Sequence, residues 1–497
     1  MRAASQRPSI AIIGAGFGGI GMAIRLKQSG YDDVQVFEKG DDVGGVWREN
    51  SYPGAACDVP SHLYSFSFEP NPRWTRRFAE QDEIHAYLRH CVDKYAVRDQ
   101  IRLRTEVLSA TYDEGAAQWD LELSDGSTHR ADVLIPACGQ LSAPSVPAIA
   151  GLDDFTGELF HSAHWPEEVA LDGKHVAVIG TGASSIQIVP SIAERVGRLR
   201  LFQREAAHVI RKPDYAYSET AKRVFERIPA LLKASRWLTY LQLESRALPF
   251  TRVPQLLKVV DVRFRMHLYG SVKDKELRRA LIPKTTIGCK RILISNDFYP
   301  ALTRPNVDLI TAPIERLTPR GIITADGEHH PADVVVLATG FRATDFLTPM
   351  QVTGVGGRRL DEAWADGAEA HLGITVAGFP NLCLLYGPNT NLGHSSIVFM
   401  LEAQFRYVLD LLAGMQRDGA RSFDVRAEAL RASSEQMQRL SRHTVWDRGC
   451  TSWYRTASGR HTNNWPGMTV DYWRRTRKVA WTDFDLEPAT RKSDVLA

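Results

Sequence analysis

Residues 9–40, SIAIIGAGFGGIGMAIRLKQSGYDDVQVFEKG, leave the fold little freedom. An apolar β run, a glycine turn, a helical pattern and a second β run ending in an acid make up a βαβ nucleotide-binding unit. Gly14, Gly16 and Gly19 keep the G-x-G-x-x-G spacing. The first permits the tight turn, the second lets a pyrophosphate reach the backbone, and the third lets helix and strand pack closely. The free N–H groups at the helix start then face the phosphates. Glu38, nineteen residues past Gly19, stands where a carboxylate accepts hydrogen bonds from ribose hydroxyls.

A second copy occupies residues 174–204, KHVAVIGTGASSIQIVPSIAERVGRLRLFQR, with Gly180 and Gly182 in place and the small Ser185 at the third position. Here the residue at the matching interval is Arg204, so the ribose end carries a cation. An acid would repel a 2′-phosphate, whereas a planar guanidinium binds it. The first unit therefore suits FAD or NAD and the second NADPH. The duplication runs further. Residues 119–140 and 317–341 each contain an Asp-Gly turn, then Ala-Asp-Val, then an apolar strand closed by Gly139 or Gly340.

The expected fold is α/β, with two dinucleotide-binding Rossmann-like domains and a helical insertion in the NADPH domain. Residues 1–145 form the first part of the FAD-binding domain and 146–213 the first part of the NADPH-binding domain. Residues 214–281, rich in Arg, Leu, Phe and Lys at helical spacing, are the insertion, and their basic residues read as a solvated face. Residues 282–345 complete the NADPH-binding domain. Residues 346–497 complete the FAD-binding domain, its helical patterns at 395–417 and 427–442 packing back on the first part, and end in a polar tail.

Composition narrows the class. With 61 basic and 58 acidic residues in 497, the net charge of +3 argues against an electrostatic nucleic-acid binder. Hydrophobic residues at 44% and charged residues at 24% are globular usage. The six cysteines are scattered without a CxxC pair, so neither a disulfide framework nor a metal site is expected, and a reducing cytoplasm fits. The opening residues show no targeting segment. The longest stretch free of Asp, Glu, Lys, Arg and His, 372–393, is interrupted by Pro380 and Pro388, so no membrane span is expected.

Phe155, Gly157, His161, Trp165 and Pro166 match F-x-G-x-x-x-H-x-x-x-W-P, and on that fingerprint the chain resembles the type I Baeyer–Villiger monooxygenases, of the class B flavoprotein monooxygenases, from about Ile10 to Tyr472. Other segments agree. Gly44-Gly45-Val46-Trp47, Tyr52-Pro53-Gly54 with Asp58, and 61–65 look like the family's flavin-covering stretch. Cys289-Lys290-Arg291 resembles its active-site Lys-Arg pair, and residues 387–394, GPNTNLGH, the loop near the flavin ring. Residues 450–454 resemble the segment whose tryptophan, here Trp453, caps the nicotinamide nucleotide.

The resemblance implies an enzyme that consumes NADPH and O2 and converts a ketone into an ester or lactone through a C4a-peroxyflavin. It implies FAD contacts at Gly14, Gly16, Phe17, Gly18, Gly19, Glu38, Gly45, Val46, Trp47, Asp58, Tyr64, Val107, Gln140, Asn391 and Leu392. NADPH contacts would come from Gly180, Thr181, Gly182, Ser184, Ser185, Gln187, Arg204, Lys290, Arg291 and Trp453. Arg291 and Asp58 are the implied catalytic residues: an arginine holds a peroxide anionic and stabilises the oxyanion of the adduct, and the carboxylate orients it by a charge-assisted, bidentate-capable bond. Lys290 would join Arg204 on the 2′-phosphate. His161 and Trp165 read as conformational residues of an interdomain linker. A monomer or weak homodimer is expected, with no nucleic acid, no membrane and no metal.

Three alternatives stand beside this reading. A flavin-containing monooxygenase oxygenating sulfides or amines is the nearest, although that family places Tyr or Phe at the position of Trp165. A flavin-dependent reductase needs a redox cysteine pair, and Cys57 and Cys91, 34 residues apart, are the nearest two. A non-catalytic redox-sensing flavoprotein would lack Arg291 or the second glycine loop, and both are present. Cyclic, linear, aromatic and steroidal ketones all remain open.

Overall fold

The computed structural model describes residues 7–447, 454–456 and 458–488. Each βαβ unit builds its own parallel sheet. In the first, Ile101–Arg102, Val34–Phe37, Ile10–Ile13 and Val133–Pro136 lie side by side in that order, all parallel. In the second the order is Val307–Ile310, Arg198–Phe202, His175–Ile179, Val334–Leu337 and Glu158–His161, again all parallel. Ile10–Ile13 and Val334–Leu337 are buried at every residue, as strands covered on both faces require.

The repeated Ala-Asp-Val now has a physical reason. Asp132 accepts a hydrogen bond from the Ser9 backbone N–H at 2.8 Å, and Asp333 accepts one from the His175 N–H at the same distance. In each unit this carboxylate captures the backbone just as it enters the first strand. The Asp-Gly turns close equivalent hairpins, Gln118–Leu123 with Thr128–Ala131 and Gly321–Thr324 with His329–Pro331.

Two large hydrophobic clusters sit on these sheets. Ile12, Ile24, Val36 and Leu134 belong to the first, together with Leu401 and Val408 of the returning helix Ile397–Arg417 and Leu430 of Ala427–Ser441. Val178, Ile188, Leu201 and Val336 belong to the second. The insertion is divided between them. The helix Pro229–Ser245 sends Tyr240 and Leu243 into the first cluster, whereas Phe264 and Leu268 of Leu257–Ser271 enter the second. Arg236 pins the first of these helices to the flavin-side chain, donating to the carbonyls of His62 and Ser65 at 2.9 Å each. Helical spacing tells which face of such a helix is buried but not which neighbour buries it, and so the sequence assigns the whole insertion to one domain.

Two further differences concern single elements. The fingerprint segment, expected as a linker, is a strand: Glu158–His161 forms the edge of the second sheet. Cys57, Cys91, Cys138 and Cys383 are free, but Cys289 is disulfide-bonded. No spacing signal marks a bridge whose halves are brought together only by tertiary folding. Among the described residues no helix is long and apolar enough to cross a membrane.

Candidate active site

Arg291 is half-buried between the two sheets' domains and held on opposite sides. Its Nε and one terminal nitrogen donate to the same oxygen of Asp58, Oδ2, at 2.8 and 2.5 Å. The other terminal nitrogen reaches the Leu392 carbonyl at 3.4 Å. The Asp58 charge raises the guanidinium pKa further above its ordinary value, against the opposing effect of burial. The group is therefore a permanent cation fixed in direction by an anion from one loop and a carbonyl from another. Asp58 follows Cys57, whose N–H bonds the Ala79 carbonyl at 3.0 Å and so anchors this stretch to the chain beyond it.

The first glycine loop has the shape that a dinucleotide demands. A Cβ at Gly19 would lie 1.8 Å from the Gly14 carbonyl oxygen, so helix and strand touch backbone to backbone there. A Cβ at Gly45 would lie 3.0 Å from the Cα of Gly16, and the Gly44 N–H bonds the Ala15 carbonyl at 2.8 Å. The segment with Val46 and Trp47 thus closes over the loop carrying Phe17 and Gly18. Trp47 donates to the Tyr64 hydroxyl at 3.2 Å, and the Tyr64 ring stands edge-on to Phe17 with centroids 5.1 Å apart. Glu38 is buried, its two oxygens accepting from Ala15 N at 2.7 Å and Gly40 N at 2.9 Å. Each oxygen keeps a lone pair for a ribose hydroxyl. Val107 begins the strand Val107–Asp113 and is buried in the first core. Gln140 donates to the Tyr386 carbonyl at 3.2 Å, while its own amide oxygen is buried without a partner among the described residues. A buried acceptor of that kind requires a donor, and a ribityl hydroxyl or flavin N–H would supply one. These residues fit FAD.

The second loop is built alike. Gly180 holds φ +114°, and a Cβ there would lie 2.4 Å from the Ala338 carbonyl oxygen, whereas a Cβ at Gly182 would meet nothing within 4 Å. The space in front of Gly182 is where phosphate would approach. Ser184 precedes the helix Ser185–Ile192, and the Ser185 hydroxyl is buried with no partner among the described residues. The Thr181 hydroxyl donates to the Glu205 carbonyl at 2.6 Å. Arg204 is exposed beside it, and the Lys290 ammonium is ion-paired with the Glu205 carboxylate. Gln187 has its amide engaged across the domain boundary, donating to the Ala56 carbonyl and accepting from the Tyr52 hydroxyl, both at 2.9 Å. These residues fit NADPH.

Residues 7–350 match the flavin-binding monooxygenase-like family model. A Baeyer–Villiger monooxygenase of Pseudomonas aeruginosa is 46% identical over 486 residues, covering 97% of this chain and 92% of the relative. The chain belongs to the Baeyer–Villiger monooxygenases. A second such enzyme, from Streptomyces coelicolor, is 45% identical over 97% of this chain and 93% of its own length. Among solved structures, an OTEMO complex with FAD and NADP superposes with a TM-score of 0.87 at 29% identity, covering 97% of this chain and all of that one.

In this Baeyer–Villiger monooxygenase the fingerprint histidine is fully engaged by backbone. His161 Nδ1 accepts from the Ala163 N–H at 3.1 Å and Nε2 lies 3.0 Å from the Gly340 carbonyl. That arrangement puts the proton on Nε2 and the ring in its neutral form, which burial also favours. Trp165 packs edge-on to Phe160 at 5.0 Å, and a Cβ at Gly157 would lie 2.3 Å from the Asp333 carbonyl oxygen. The motif thus ties the edge strand to the glycine exit of its neighbour. Phe155 lies in a small cluster under the same sheet, and Pro166 follows Trp165. Trp453 lies outside the described residues.

Sequence reasoning missed three site residues. Tyr386 donates to Asn391 Oδ1 at 2.6 Å, and Asn391 donates in turn to Asn464 at 2.7 Å. Burial raises the phenol pKa of Tyr386 and of Tyr454, and the Arg291 charge opposes that rise in both. Tyr386 precedes Gly387-Pro388 and Tyr454 follows Trp453, so both border quoted motifs. Asn464 carries no sequence signal, because only the tertiary pairing of 391 with 464 brings it there.

Proposed function

We propose that this chain catalyses a Baeyer–Villiger oxidation: a ketone, O2, NADPH and a proton give an ester or lactone, NADP+ and water. The single observation that carries the reading is Arg291, a cation that cannot yield its proton, held by Asp58 and by the carbonyl of Leu392. FAD, when bound, accepts hydride from NADPH and activates O2. The protein's own residues do the rest. The first glycine loop and Glu38 hold the flavin nucleotide, the second glycine loop holds NADPH, and Arg204 with Lys290 reads the 2′-phosphate. Arg291 supplies positive charge where negative charge develops on oxygen, without donating its proton irreversibly. Asp58 keeps the guanidinium plane aimed.

Oxygenation of sulfides or amines is not favoured, since the curated relatives named above are Baeyer–Villiger monooxygenases. The same reading divides the chain at 145, 213, 281 and 345, with one parallel sheet for each nucleotide. The enzyme acts as a monomer or weak homodimer, with a ketone and O2 as its small-molecule partners. A ketone panel followed by NADPH consumption and product mass tests the function. Products heavier by one oxygen, with ester fragmentation, support it; NADPH consumption that yields only hydrogen peroxide for every ketone overturns it.

A further inference from the structure

Among the described residues, the helical insertion carries most of the exposed large hydrophobic side chains. Of the nineteen large hydrophobic side chains that are exposed among the described residues, thirteen lie between 214 and 281. On the helix Pro229–Ser245 the side that packs inward holds Leu232, Tyr240 and Leu243. The opposite side shows Leu231, Trp237, Leu238 and Leu241 to solvent, with Trp237 61% and Leu238 68% exposed. Ala230 and Ala234 fill the same strip, so no charge interrupts it. A helix that is apolar on both sides while standing at a surface lacks a partner on one of them.

The helix Leu257–Ser271 repeats the arrangement with charge added. Leu257, Phe264 and Leu268 face inward. Val259, Val262, Met266 and Tyr269 follow one another at spacings of three and four on the outward side, Met266 being 70% exposed. At 3.6 residues per turn, Lys258 falls on one flank of that stripe and Arg263 on the other, and both are exposed. An apolar stripe bordered by cations, with Trp and Tyr among its members, is the composition of a helix that lies in a lipid headgroup region.

Net charge selects the occupant. Residues 214–281 hold fourteen Lys and Arg against seven Asp and Glu, a net +7, while the whole chain is only +3, so all the remaining residues together are −4. A symmetric contact with a second copy would bring Lys258 and Arg263 of both copies around one apolar centre, cation against cation. An anionic surface meets the same patch with favourable charge and accepts the apolar stripes as well. We propose that the insertion docks this enzyme peripherally on an anionic lipid bilayer. No spanning helix is needed. The docked helix also backs onto the site: Glu244, on its inner side, accepts from the Thr469 hydroxyl at 2.6 Å and lies 4.0 Å from His394, two residues beyond Leu392. A substrate that partitions into lipid would meet the enzyme on that side.

Co-sedimentation of the FAD-loaded chain with vesicles tests this apart from the chemistry, because it reads binding and not turnover. The chain should pellet with phosphatidylcholine vesicles containing phosphatidylglycerol at low salt, pellet much less at high salt, and stay in solution with pure phosphatidylcholine. The double variant Leu238→Ser and Met266→Ser should bind about tenfold more weakly, with FAD content and NADPH oxidation unchanged. Lys258→Glu with Arg263→Glu tests the charge half of the patch should the serine variant fail to fold. Absence of wild-type binding to the anionic vesicles overturns the proposal, as does binding that neither variant weakens. A wild-type dimer in light scattering that the variants render monomeric would also overturn it, by assigning the face to a second copy.

Discussion

Arg291 places two of its N–H groups on one oxygen of Asp58 and none on the other. The sequence suggested a charge-assisted, even bidentate, pair; the observed contact converges on Oδ2, so the carboxylate acts as a pivot that sets the plane of the guanidinium. Arg291→Ala should fold and retain FAD yet form ester at least about a hundredfold more slowly, since an oxyanion-type contact is worth about 3 to 4 kcal/mol. Arg291→Lys should recover little, because an ammonium lacks the fork. Asp58→Asn should lower kcat by about ten- to a hundredfold, the loss of one charge-assisted bond. Product chromatography checks all three, and an alanine variant that makes ester at the parental rate would remove Arg291 from the mechanism.

The pairing of Lys290 with Glu205 predicts how coenzymes are told apart. Arg204→Ala should raise KM for NADPH by about ten- to a hundredfold and leave that for NADH nearly unchanged, as befits a charge-assisted bond worth about 1.5 to 3 kcal/mol. Glu205→Gln should do the reverse, lowering KM for NADPH by freeing Lys290 and removing a negative charge near the phosphate. Steady-state kinetics with both coenzymes decide the matter. Equal changes for NADPH and NADH would show that neither residue senses the 2′-phosphate.

The glycines of the two loops should fail differently. Gly19→Ala meets a backbone oxygen at 1.8 Å and cannot be relieved by a side-chain rotation, so the protein should be recovered without FAD or not at all. Gly182→Ala meets open space and should fold with normal FAD content, losing only NADPH affinity. Flavin absorbance of the purified variants, followed by NADPH titration, separates the outcomes.

Acid should destabilise the fold through its buried histidines. Burial lowers the pKa of His62, His208 and His394 to about 4 in each case. The unfolded chain binds these protons near pH 6.5 and the folded one does not, so stability is complete above about 6.5 and falls as pH drops toward 4. Each histidine costs about 1.4 kcal/mol per pH unit in that window. His394→Gln should flatten the fall of Tm between pH 6.5 and 5; an unchanged slope would mean that His394 binds its proton equally in both states.

Much of this architecture is legible in the sequence because it is local. The glycine loops, the strands they follow and the closing Asp-Gly hairpins each occupy a short run, and the duplication lets one copy check the other. Asn464, the sharing of the insertion between two cores and the edge-strand place of His161 are different in kind. They follow from which surfaces meet, and neither spacing nor residue type records that. Tyr386 lies between: its neighbours Gly387 and Pro388 announce a turn, but only the turn's direction brings the phenol to Asn391.

Because Tyr240 and Leu243 are anchored in one core and Phe264 and Leu268 in the other, neither half of the molecule is a self-sufficient module. Expressing residues 146–345 alone would leave Tyr240 and Leu243 bare, and deleting 214–281 would open a wound in both halves at once. Recombining this enzyme with a relative would therefore require crossover points that move the insertion together with its contacts on each side, so that segments of both nucleotide domains are inherited as one block.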